Sequence, residues 1–221
     1  MQKVVILGAG GHARETLETF LQANQVTPQW ELLGYIDDDP QKHGLILNDY
    51  PVLGGFDWFA SVDVSSVRVI CAIGDNAARY RLVRRVEARG LQFCNAIAPT
   101  AIISDYASLG VGLMIFAGAI INTQAVIGDH VIVNVGVSVS HDSHIASFCN
   151  LNPGVHIAGN VQVNAGVDVG MGTVVKQSVA IGEWSVIGAG SVVISDIPGN
   201  VTAVGLPAKV IKERKEKWYE K

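Results

Sequence analysis

Cysteine is scarce in this chain of 221 residues: there are three, Cys71, Cys94 and Cys149, and no two form a C-x-x-C pair. That excludes a disulfide framework and thiolate metal sites of the usual spacing, and it suits a protein whose thiols stay reduced in the cytoplasm. Charge is also sparse, at 16% of residues with a formal net charge of -4, and the one dense basic run lies after Lys209. Without a broad positive field, nucleic acid is not an expected partner. Long apolar runs are missing too. Val4 to Leu7 stops at glycines, too short for a signal core, and no later run approaches a membrane span. A cytoplasmic protein with no membrane partner is therefore expected. What the chain has in quantity is apolar residues, 49%, and 24 glycines. That composition suits compact folding, and the length suits two domains.

The chain has two textures, which predict domains over residues 1–95 and 96–221. In the first, the β-rich runs Val4–Leu7, Trp30–Ile36, Val67–Ile73 and Leu91–Cys94 alternate with helical runs at Ala13–Ala23 and Ala77–Ala88. Such alternation predicts a small parallel α/β sheet. In the second, every sixth residue from Ile97 to Val193 is aliphatic without exception. Four places after each, small residues recur, among them Ala119, Ala125, Cys149, Thr173, Ser185 and Ser191. A six-residue unit cannot fold alone, but three can close a triangular coil whose aliphatic residues stack inward, which makes residues n and n+18 vertical neighbours. The periodicity predicts a parallel β-helix ending near Pro198-Gly199. A short C-terminal helix is expected in the charged stretch beyond Lys209.

The segment Gly8-Ala9-Gly10-Gly11-His12-Ala13 follows a β-run and opens a helical one. In that context glycines let backbone N–H groups approach a phosphate. Asp37 and Asp38 close the second β-run, where a carboxylate can accept hydrogen bonds from a ribose or a base edge. A tight turn with a solvated acidic loop fits these residues equally well. Four candidate strands make half of a dinucleotide fold, enough for a mononucleotide, which argues against a dehydrogenase.

Four histidines fall in the repeats, His130, His141, His144 and His156, and no two are 18 apart. None stacks on another within one chain, so no metal is expected. His141 takes a corner position with Asp142 beside it, Thr123 below and Gly159 above, and the bare Gly159 leaves room over the imidazole. Judged by these residues alone, a solvated corner histidine is the favoured reading. Cys149 takes an inward small-residue position, where a thiol is inert.

Gly8-Ala9-Gly10-Gly11-His12, Asp37-Asp38, Ala72-Ile73-Gly74-Asp75-Asn76, the repeats, His141-Asp142 and Gly205-Leu206-Pro207-Ala208-Lys209 together resemble the hexapeptide-repeat nucleotide-sugar acetyltransferases. That family includes sialic acid O-acetyltransferases and bacterial 4-amino-sugar N-acetyltransferases. The resemblance implies a Rossmann-like domain followed by a left-handed β-helix. It also implies acetyl transfer from acetyl-CoA to the 4-amino group of a nucleotide-linked 4-amino-4,6-dideoxy sugar, in surface polysaccharide synthesis. By the same resemblance Gly10, Gly11, His12, Asp37, Asp38 and Gly74 hold the nucleotide-sugar. His141 is catalytic and Asp142 orients it, although relatives often carry the longer Glu there. Asn150, where some relatives have histidine, holds the thioester carbonyl, and Gly159, Met171 and Ala189 also touch acetyl-CoA. A homotrimer with the coenzyme between subunits is implied. O-acetyl transfer, a UDP-linked substrate, and a noncatalytic scaffold with a nucleotide-sensing head remain open alternatives.

Overall fold

A computed structural model describes residues 1–220. The chain divides into two compact units, Met1–Pro99 and the remainder from Thr100.

The first unit is built on β1 (Gln2–Leu7), α1 (Gly11–Val26), β2 (Trp30–Ile36), β3 (Ile46–Leu47), β4 (Tyr50–Gly54), β5 (Val67–Cys71), α2 (Asn76–Ala88) and β6 (Gln92–Phe93). The sheet order is β3-β4-β2-β1-β5-β6. All pairings are parallel except the β3–β4 hairpin. Val4 to Leu7 are buried, as expected for a central parallel strand covered on both faces. From β1 the chain moves outward on one side through β2 and β4, then returns to the other side of β1 with β5. That reversal is the topological switch point where open α/β sheets leave a crevice at the carboxyl ends of their strands. The four expected strands are joined by β4, which sequence patterning missed because it carries Pro51 and ends on Gly54. Helix α2 starts with the Asp75 carboxylate accepting the Ala78 N–H at 2.7 Å, the usual N-cap bond. The guanidinium of the fully buried Arg79 donates to the carbonyls of Ile73 at 2.7 Å and Gly74 at 3.3 Å. Those bonds tie α2 to the loop that follows β5.

The second unit is a parallel β-helix of two-residue strands. Strands pair with partners 18 residues along, as in Ile120↔Ser138, Val126↔His144 and Ile132↔Asn150. They form three faces, which run through Met114–Ile115, Ile102–Ile103 and Ser108–Leu109 respectively. The inward column is buried from Ile115 to Val193, while Ile103 and Leu109 are only half-buried. Each buried aliphatic side chain contributes on the order of 1.5–3 kcal/mol, so this column is the main source of the unit's stability. The buried hydroxyls of Ser185 and Ser191 donate to the carbonyls of Pro198 and Gly188, each at 2.7 Å, so burying them carries little penalty.

The coil does not stop at Pro198-Gly199. Val201–Val204 adds a further parallel strand on Val186–Ile187. The charged segment expected to be helical is instead the strand Lys209–Glu213, paired antiparallel to Val201–Val204. Its β-branched Val210 and Ile211 favour extended backbone, and the open edge of Val201–Val204 supplies hydrogen-bond partners that a short, isolated helix would lack. Helical structure is confined there to a 3-10 turn at Trp218–Glu220. Beside it the Tyr219 ring stacks 3.6 Å from Trp184.

Candidate active site

In the first unit the carboxyl ends of β1 and β2, together with α2, enclose a cleft of about 430 Å³ that includes Gly8, Asp37 and Asp38. Gly8 has φ +104°, and a Cβ there would lie 3.1 Å from the Ala72 carbonyl oxygen, so glycine is required by the turn itself. Gly10, Gly11 and Gly74 differ. A Cβ on Gly10 or Gly74 would meet nothing within 4 Å, and one on Gly11 only an Arg14 nitrogen at 3.9 Å. Internal packing does not demand their bareness, which keeps the backbone approachable from outside. Gly10 is the N-cap of α1 and supplies no side-chain cap, so the first N–H groups of α1 suit an anion.

The two aspartates divide their labour. Asp37 accepts the Ala9 N–H at 2.9 Å, the Asp39 N–H at 3.0 Å and the Lys42 ammonium at 2.9 Å. Burial pushes its carboxyl upward, but the bonds from Lys42 and the two N–H groups outweigh that and hold it below the ordinary value. Its side chain is 14% exposed, and it braces the glycine loop from within. Asp38 is 56% exposed and faces the cleft. It accepts from the Arg85 guanidinium at 2.6 Å and the Phe56 N–H at 3.0 Å. The Arg85 bond, followed by the Phe56 N–H, lowers its pKa. Arg85 also lies 4.4 Å over the Phe56 ring.

Gly10, Gly11, His12 and Gly74 lie outside the cleft lining, whereas Phe56, Arg81 and Arg85 belong to it. The two arginines could have been found from their i, i+4 spacing in a helical run. The His12 ring is 18% exposed, with Nδ1 3.3 Å from a Glu15 oxygen. Burial lowers its pKa, with Glu15 opposing and Arg79 reinforcing the shift.

In the second unit His141 and Asp142 form a corner on which both side chains are well exposed. Nδ1 of His141 is 2.7 Å from Oδ2 of Asp142, so the shorter acid still reaches the ring. The Asp142 N–H donates to the Thr123 carbonyl at 3.3 Å, and the His141 carbonyl accepts the Asn160 N–H at 3.0 Å. The space expected above the imidazole is filled by the imidazole itself: a Cβ on Gly159 would sit 2.6 Å from Cε1 and 2.7 Å from Nε2. With Nδ1–H directed at Asp142, neutral His141 presents its Nε2 lone pair as a proton acceptor.

The remaining expected site residues do not join His141 within one chain. Asn150 lies in the strand Asn150–Leu151 and is 6% exposed. That strand belongs to the face running through Met114–Ile115, whereas the His141 corner separates the other two faces. Met171 is 59% exposed, and its carbonyl accepts the Gly190 N–H at 2.8 Å, next to Ala189. Both stand at a different corner from His141 and Gly159. Cys149 is fully buried, its thiol donating to the Asn164 carbonyl at 3.0 Å.

The PglD N-terminal domain family matches residues 3–86. No match to the sequence is found among curated proteins. Among solved structures, PerB from Caulobacter crescentus in complex with CoA and GDP-perosamine is 34% identical. That match covers 96% of this chain and 98% of PerB with a TM-score of 0.88, and two perosamine N-acetyltransferase variants from the same organism match at the same identity and coverage with a TM-score of 0.89. The acetyltransferase domain of PglB from Neisseria gonorrhoeae, in complex with acetyl coenzyme A, is 28% identical over 95% of this chain and 99% of that one, with a TM-score of 0.87. WeeI from Acinetobacter baumannii is 26% identical over 96% and 100%, with a TM-score of 0.84.

Proposed function

The chain belongs to the hexapeptide-repeat nucleotide-sugar acetyltransferases, and we propose that it transfers the acetyl group of acetyl-CoA to the 4-amino group of a GDP-linked 4-amino-4,6-dideoxy sugar, GDP-perosamine. The observation that carries this reading is the exposed His141–Asp142 pair seated over Gly159. It is supported by a relative whose structure holds CoA and GDP-perosamine together. Residues 1–95 bind the nucleotide-sugar and residues 96–221 carry the transfer chemistry, in a cytoplasmic homotrimer serving surface polysaccharide (O-antigen) synthesis.

Acetyl-CoA contributes an activated thioester. An alkyl amine is mostly protonated near neutral pH and must be deprotonated to attack. Once the amine has given its extra proton to solvent, His141 Nε2 takes one of its remaining N–H protons as the C–N bond forms and the C–S bond breaks, and the Asp142 carboxylate stabilises the resulting imidazolium. The departing thiolate then receives that proton. Asn150 steadies the acetyl oxygen with its amide N–H groups. Because Asn150 and His141 belong to opposite sides of one prism, Asn150 comes from a neighbouring subunit, as do Met171 and Ala189 along the coenzyme. Transfer is direct, in a ternary complex, since the one thiol of the repeats, Cys149, is buried.

Thiol release from acetyl-CoA, measured with GDP- and UDP-linked 4-amino sugars, tests the assignment. Release with the GDP-linked amine and an N-acetylated product by mass spectrometry is expected. No release with any amino sugar would sink it, and an ester product would replace it with O-acetyl transfer.

A further inference from the structure

Given the nucleotide-binding reading of the first unit, on which this inference rests, the identity of the base follows from hydrogen-bonding patterns. Asp38 and Arg85 stand side by side at the mouth of the cleft, joined by the 2.6 Å bond from Arg85 to Oδ2. Oδ1 accepts the Phe56 N–H. A carboxylate offers about four lone-pair sites, so one remains on each oxygen. A guanidinium carries five N–H donors, and the bond to Asp38 uses one. An incoming ligand therefore meets a donor followed by two acceptors in a row. Asp37 has three of its four lone-pair sites taken by Ala9, Asp39 and Lys42, so it presents no pair of free acceptors.

We propose that the Arg85–Asp38 pair selects guanine, Arg85 donating to O6 while the two Asp38 oxygens accept from N1–H and N2–H₂. Guanine alone among the common bases presents acceptor, donor, donor along one edge. Uracil presents acceptor, donor, acceptor, which sets its O2 against a carboxylate oxygen. Cytosine and adenine place an amine where the Arg85 donor stands. The carboxylate is ionised at neutral pH, since Arg85 and the Phe56 N–H hold its pKa below the ordinary value. Leu7, Ile36 and Ile73 give the cleft apolar walls that suit a planar base.

Calorimetric titration of the intact protein with GDP, IDP, XDP and UDP tests this. GDP should bind about tenfold or more tighter than UDP, and also tighter than IDP, which lacks the N2 amine. Asp38→Asn should weaken GDP by about 10- to 100-fold and bring XDP level with it or ahead. An Asn turned so that its amide N–H₂ donates to the xanthine O2 keeps its oxygen beside Arg85 for N1–H and gives up the Phe56 bond. That exchange of preference is a gain that a damaged fold cannot mimic. Equal binding of GDP and UDP by the wild type, or uniform weakening with no gain for XDP, would overturn guanine selection and leave the nucleotide reading standing. Failure of every nucleoside diphosphate to bind the wild type at millimolar concentration would remove the nucleotide reading, and this one with it.

Discussion

The imidazole of His141 occupies the space that a side chain at Gly159 would need: a Cβ there would come within 2.6 Å of the ring. The exposed histidine can swing away, so Gly159→Ala should fold normally and move the imidazole, the proposed base, off its position. A displacement of about 1 Å can cost on the order of a hundredfold in rate. Steady-state kinetics should therefore show a kcat loss of at least about tenfold, with thermal stability little changed. An unaltered kcat would mean that the resting position of the ring is irrelevant to turnover.

Loss of a general base typically costs 10²- to 10⁴-fold, and His141→Ala should lower kcat by about that much. Asp142→Asn keeps the side-chain size and removes the charge that holds Nδ1–H. It should lower kcat by about tenfold or more, with KM for acetyl-CoA nearly constant. A His141→Ala loss below roughly tenfold would make the histidine a positioning group, with solvent taking the proton. Ping-pong kinetics or a trapped acetyl-cysteine would refute direct transfer.

His141 and Asn150 belong to opposite sides of a single prism, so two defective chains should repair one another. Co-refolding His141→Ala with Asn150→Ala in equal amounts should restore activity, with about a quarter of the sites carrying both intact residues under random assortment in a ring. Activity no higher than the mean of the two separate variants would place both residues in one subunit's site, or Asn150 outside it.

His12 gives the first unit a pH dependence of definite sign. Its folded pKa is depressed from 6.5, chiefly by burial, so below 6.5 the unfolded chain binds the proton more readily. Stability is then complete above 6.5 and falls as the pH drops from there toward the folded value. Denaturant titrations at pH 7.5 and 5.5 should show a lower midpoint at the acidic pH for the wild type and a smaller difference for His12→Gln. Equal differences in the two proteins would locate the acid sensitivity elsewhere.

Legibility in the sequence followed the range of the interactions. The β-helix was plain because its rule repeats every six residues and its partners are always 18 away, so burial at Ile115 or Val163 needs no tertiary knowledge. The bracing role of Asp37 was hidden: nothing local shows that its carboxylate clamps Ala9 from 28 residues away. Phe56 and Arg85 escaped notice for the same reason, since they meet Asp38 only through folding. The last strand was misread because the charges of Lys209–Glu213 suggest a solvated helix, while its conformation is set by an open edge supplied elsewhere in the chain.

On the face that runs through Met114–Ile115, that last strand also decides where the stack ends. Every coil of a parallel stack offers the next one the same row of N–H and C=O groups, so nothing in the repeat itself limits growth, and two stacks meeting end to end could continue as a fibre. By reversing direction, Lys209–Glu213 presents an outer edge whose spacing no longer matches a parallel coil, and it carries the lysines that discourage strand addition. A chain cut before Lys209 would keep its sites and leave the Val201–Val204 edge of that face open.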